Sequence, residues 1–133
     1  NKDAFGRQKN GIPNRQVASE LNAVGIPIRW CDTRGEQCHS KMLLKYNAQQ
    51  AEIILGSANL TARNLKNYNL ETDMRVLGLA QALVFKDAGQ YFDAAWTNAH
   101  GRQITVDYAK YADESKVKYW LYRFMEWSGL STF

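Results

Sequence analysis

His39-Ser40-Lys41, followed at Gly56-Ser57-Ala58-Asn59 by a loop of small residues, is the stretch whose reading decides this fold. A histidine and a lysine two apart on a strand point to the same face. A neutral imidazole is able to attack a phosphorus centre. An ammonium beside it neutralises the charge that develops on the phosphoryl oxygens. Ser57 and Asn59 are also two apart and offer a hydroxyl and an amide as uncharged donors. Two short neighbouring segments thus supply four side chains of the types a phosphodiester needs. The spacing predicts that His39, Lys41, Ser57 and Asn59 converge on one oxyanion pocket.

The order of these residues is specific. His-x-Lys is followed by Gly-Ser-x-Asn, then Arg63, then Asn69-Leu70-Glu71. It resembles the HKD signature of the phospholipase D superfamily over about Asn14 to Asn98. Asn1 to Gly6 and Gly11 to Arg15 resemble the lead-in to the second repeat of two-repeat bacterial members. One position departs from the family pattern: Tyr46 stands where the motif carries an aspartate. The resemblance implies a single phospholipase D-like α/β/α repeat over 1–133, a mixed sheet flanked by helices. It implies His39 as the nucleophile that forms a phosphohistidine. Lys41, Ser57 and Asn59 become the phosphate ligands, and Glu71 the carboxylate that orients His39. Asp73 is the rival for that last role. No cofactor and no metal is implied, because lysines supply the positive charge.

One such repeat is half of a site. The implied partner is a missing N-terminal repeat or a second copy of the chain. Phospholipid is the expected substrate class for a phosphodiesterase or phosphatidyltransferase. A nuclease-like homodimer is the alternative, and a degenerate, non-catalytic repeat that packs or binds anions is the third reading. A membrane-associated or exported bacterial parent is the matching expectation.

Bulk properties fit these readings without selecting among them. The 133 residues are 45% hydrophobic and 23% charged, with a net charge of +4. That is ordinary for a globular domain with its own core. The basic residues are scattered, so a dedicated nucleic-acid patch is not indicated. No stretch approaches the roughly 18 apolar residues of a membrane span. Starting at Asn1 without a methionine, the chain reads as a piece of a longer protein.

Cys31 and Cys38 flank a polar segment, Asp32 to Gln37. Either they bridge across a tight hairpin, which implies an oxidising compartment, or they are ordinary thiols.

Periodicity gives the outline. Asn14 reads as the cap of a helix carrying Val17, Ala18, Leu21 and Val24, stopped at Gly25. Strands are expected at Ile26–Cys31, through Met42-Leu43-Leu44, at Ala51–Leu55 and from Leu70 to Val76, with a turn at 46–50. Ala80 to Asn98 reads as a helix with Ala82, Phe85, Gly89, Phe92 and Trp96 along one side. A last helix runs from Asp113 to Gly129. Its apolar side, with Val117, Trp120, Leu121, Phe124, Met125 and Trp127, is expected to pack on this domain or on the missing half, with membrane contact as the rival. His100 reads as a surface loop residue.

Overall fold

A computed structural model describes residues 11–32, 38–61, 64 and 70–128. The lead-in before Gly11, the polar segment 33–37, Arg63, Asn69 and the stop at Gly129 lie outside the described residues. The chain is mixed α/β. Its elements are α1 (Asn14–Ala23), β1 (Arg29–Cys31), β2 (Met42–Tyr46), β3 (Gln50–Gly56), β4 (Asp73–Leu79), α2 (Leu83–Thr97), β5 (Thr105–Asp107) and α3 (Lys116–Ser128). They fall into two compact units. One comprises the described residues up to Cys38 together with those from Gly101 onward; the other is His39–His100.

The expected mixed sheet is corrected. Among the described residues the strands pair into two antiparallel sheets, β1-β5 and β2-β3-β4. The expected first strand does not join the strand that follows His39. It is claimed instead by β5, some 76 residues further on, through a long-range pairing that local pattern does not reveal. Arg29 faces Asp107 across this ladder and pairs with it, while its Nε donates to Thr105 Oγ1 at 3.0 Å. Trp30, opposite Val106, is buried and donates its indole N–H to the Tyr108 carbonyl at 2.8 Å.

In this unit α1 ends as expected. Gly25 adopts φ +82°, and the N–H groups of Gly25 and Ile26 reach back to the carbonyls of Asn22 and Leu21. That pair of bonds is a Schellman motif, which needs a residue free to enter the left-handed region. Cys31 and Cys38 form a disulfide, so the bridged alternative is the one realised.

The last helix begins three residues later than expected. Asp113 and Ser115 act as its cap: Asp113 accepts from the Ser115 N–H at 3.1 Å, and Ser115 Oγ accepts from Lys118 N–H at 3.4 Å. Lys118 Nζ also donates to Asp113 at 2.6 Å. Lys118 holds the Asp113 carboxyl below its ordinary value of 3.8, helped by the Ser115 N–H. A depressed carboxyl contributes stability above its unfolded value, and that contribution disappears as pH falls through the folded one. Asp113→Asn is therefore expected to cost about 1 kcal/mol at pH 7. The deficit relative to the unsubstituted chain should shrink below about pH 4, read from urea midpoints across pH. A deficit that stays constant from pH 7 to 2.5 contradicts the assignment.

The packed face of α3 narrows the expectation: of the two packing partners, this domain does not cover the apolar side. Tyr122 is buried, whereas Trp120, Phe124 and Trp127 are 71%, 54% and 83% exposed. The apolar stripe read from periodicity thus faces outward within this chain. The face that packs is the tyrosine side, whose amphipathic ring a hydrophobicity pattern scores as polar. Burial, with Glu126 and Glu20 nearby, pushes the Tyr122 phenol up to about 12. Arg123 reaches Glu20 of α1 at 3.8 Å.

The second unit is a three-stranded sheet with α2 on one face. Leu44, Ile53 and Val76 are cross-strand partners and so share a face. Phe85 of α2 packs against Ile53 and Ala51, with Met42, Leu44, Val76, Ala80 and Ala88 around them. The β2-β3 hairpin turns at Asn47, whose side-chain oxygen accepts from the N–H groups of Gln49 and Gln50 at 2.9 and 2.8 Å. Such side-chain capture is why asparagine favours turns. Tyr46, at the departure from the family pattern, ends β2 opposite Ala51, where this turn begins.

Candidate functional site

The register of this sheet gathers the motif. Met42 pairs with Leu55, and Gly56 pairs with Asp73. One end of the sheet therefore collects the entry to β2, the exit of β3 and the entry to β4. His39 to Lys41 precede the first, Ser57 to Asn59 follow the second, and Glu71 precedes the third. Segments as far apart in sequence as His39 and Glu71 come to the same end because two consecutive antiparallel pairings return the chain there.

On the β2 side, the hydroxyls of Ser40 and Tyr91 of α2 share a hydrogen bond of 2.9 Å. Ser40 thus belongs to the helix side of the sheet. His39 is exposed and Lys41 half-exposed just ahead of β2. Lys41 Nζ donates to the His39 carbonyl at 2.8 Å. Among the described residues no hydrogen bond reaches the His39 ring.

On the β3-β4 side, Glu71 is the centre. One carboxylate oxygen accepts from Ser57 Oγ and the other from Asn64 Nδ2, both at 2.6 Å. Ser57 Oγ in turn accepts from the Thr72 N–H at 3.0 Å, and the Ser57 N–H donates to the Thr72 carbonyl at 3.1 Å. Thr61 Oγ1 donates to Asn64 Oδ1 at 3.1 Å. Asp73, the rival carboxylate, accepts from the Ala58 N–H at 3.2 Å. The Asn59 side chain is exposed and makes no hydrogen bond within the described residues.

The expected side chains thus reach one sheet end but are linked in two groups. His39 and Lys41 form one, and Ser57 with Glu71 the other. Glu71 contacts Ser57 and Asn64, and not the His39 ring. The Ser57 hydroxyl has one proton, and it is given to Glu71. In this arrangement Ser57 anchors the loop, Lys41 Nζ donates to the His39 carbonyl, and the Asn59 amide stays exposed. Asn64 and Thr61 were not legible as site residues. Their only sequence signal is their place in the polar run after Asn59.

His100 is exposed in a turn at Ala99–Gly101. A surface groove of about 540 Å³ is lined by Trp120, Arg123, Phe124, Glu126 and Trp127 and includes none of the motif residues. Among the described residues no group of three or more His, Cys, Asp or Glu side chains is placed to hold a metal ion. No helix among them is long and apolar enough to cross a membrane.

Compared with known protein families, with curated proteins and with solved structures, the chain matches none.

Proposed function

We propose that this chain is one phospholipase D-like repeat and supplies half of a phosphodiesterase or phosphatidyltransferase site. The observation that carries this reading is the register that brings His39-Ser40-Lys41, Gly56 to Asn59 and Glu71 to one sheet end. Three short segments with nucleophile, cation and amide donor in one place are what phosphoryl transfer requires.

In the proposed reaction an imidazole nitrogen of His39 attacks phosphorus, and a P–N bond forms as the P–O bond to the leaving alcohol breaks. The leaving oxygen takes a proton from an acid on the second half-site, since His100 has no lysine partner at the motif spacing. Water or an alcohol then gives its proton back to that same group on the second half-site and attacks phosphorus, forming a P–O bond as the P–N bond breaks and the imidazole leaves. Lys41 and Asn59 hold the non-bridging oxygens, where negative charge grows. Phospholipid is the substrate class this reading favours.

The test is to quench the complete protein during turnover of a phosphatidyl diester at alkaline pH, which preserves phosphohistidine, and to map the adduct by mass spectrometry. An acid-labile adduct on His39 is expected. An adduct on serine, or turnover by a His39→Ala protein, overturns the proposal.

A further inference from the structure

We propose that Asn64 and Thr61 are positioning residues which, through Glu71, hold both ends of the loop that presents Asn59. The inference rests on the phosphodiester reading above for its functional consequence.

Its geometric content stands on a hydrogen-bond chain. Thr61 donates to Asn64, Asn64 donates to Glu71, Glu71 accepts from Ser57, and Ser57 exchanges two bonds with Thr72. The loop from Ser57 to Thr61 is therefore fastened at its start and at its finish to one carboxylate. Asn64 is the buried member, with only 8% of its surface exposed. Ser57, Asn59 and Glu71 are all exposed. An exposed carboxylate held by one hydroxyl keeps several rotamers. A second donor on its other oxygen removes that freedom, because a carboxylate gripped at both oxygens has a single orientation. The Asn64 amide has a definite direction as well: Thr61 Oγ1–H fixes its oxygen, so its nitrogen faces Glu71.

The consequence falls on Asn59. Its side chain is the unengaged amide of the loop, and its backbone carbonyl accepts from the Thr61 N–H at 2.8 Å. Thr61 thus touches Asn59 directly and fixes Asn64 at the same time. A donor held in place before the ligand arrives costs no ordering when charge develops.

Four variants test this: Asn64→Asp, Asn64→Ala, Thr61→Val and Thr61→Ser. Asn64→Asp is isosteric but replaces the donor to Glu71 with an oxygen. Thr61→Ser keeps the hydroxyl that Thr61→Val removes. Two readings are taken on each, with thermal melts to confirm folding. The first is amide hydrogen exchange at Ser57 and Thr72, the two N–H groups that close the chain. The second is titration with inorganic phosphate, followed by the ring signals of His39.

Exchange at Ser57 and Thr72 is expected to rise about tenfold at pH 7.5 in Asn64→Asp, Asn64→Ala and Thr61→Val, with Thr61→Ser close to the unsubstituted chain. Phosphate affinity should weaken about tenfold in the same three and be retained in Thr61→Ser. Unchanged exchange in Asn64→Asp, or a Thr61→Ser protein as impaired as Thr61→Val, overturns the positioning role. If phosphate leaves the His39 signals of the unsubstituted chain unmoved, the phosphodiester reading is what fails, and the exchange data still decide the positioning.

Discussion

His39→Ala is expected to abolish phosphodiester turnover, by on the order of 10⁴-fold or more, as loss of a covalent nucleophile does elsewhere. Lys41→Ala is expected to cost about 10²- to 10³-fold, the range for removing one preorganised charge or donor from an oxyanion site. The measurement is hydrolysis of a chromogenic phosphodiester over a range of protein concentrations. Only one histidine of this chain carries the His-x-Lys spacing. Nucleophile and acid must therefore come from two half-sites, and the isolated chain should be inactive when dilute. A rate that grows with the square of concentration identifies a self-complementing pair of chains and favours the nuclease-like alternative. A rate first order in protein at high dilution, and lost in His39→Ala, defeats the half-site claim.

The sequence reading succeeded where structure is local. α1 stops at Gly25 because the left-handed φ there is easily reached only without a side chain. The β2-β3 hairpin was visible because Asn47 carries its own turn chemistry. The alternation of Leu70, Thr72, Met74 and Val76 announced a strand, which runs Asp73–Leu79; of those four only Val76 packs on the core, and Leu77 and Leu79 break the alternation. What failed was long-range or amphipathic. The β1-β5 ladder joins three-residue strands that carry no periodicity of their own. The side of α3 that packs within this chain is built on tyrosine, which an apolar-stripe reading does not pick out.

The candidate site divides along the same line. His39, Lys41, Ser57, Asn59 and Glu71 were legible as residue types at motif spacing. Their connections were not. A hydroxyl such as Ser57 bonds to a phosphate or a carboxylate equally well, and only the register that sets Glu71 near it decides between them. Asn64 carries no spacing signal, because its importance comes from burial beside Glu71.

Gly56→Ala is expected to be the most destabilising single-methyl change in the sheet, at about 2–3 kcal/mol. Gly56 closes β3 opposite Asp73, and β4 runs so near that an added Cβ would meet the Asp73 carboxylate, the Thr72 carbonyl and, at 2.7 Å, the Asp73 Cα. Two of these neighbours are backbone, which cannot rotate away as a side-chain tip would. The strands must separate, and the bonds from Ser57 N–H to the Thr72 carbonyl and from Ala58 N–H to Asp73 are the nearest to be lost. Gly89→Ala is the matched control. A Cβ there meets nothing within 4 Å, and Gly89 lies inside α2. Replacing it should stabilise by about 0.5–1 kcal/mol through helix propensity alone. The same chemical change thus carries opposite signs at two positions. Urea unfolding followed by the amide signals of β3 and α2 reads both. Equal effects at the two sites would mean that β3 and β4 do not approach as closely as the Gly56–Asp73 pairing requires. The expected outcome has a functional consequence as well: opening the strands at Gly56 releases Ser57 from Glu71, so phosphate affinity should fall in Gly56→Ala and stay unchanged in Gly89→Ala.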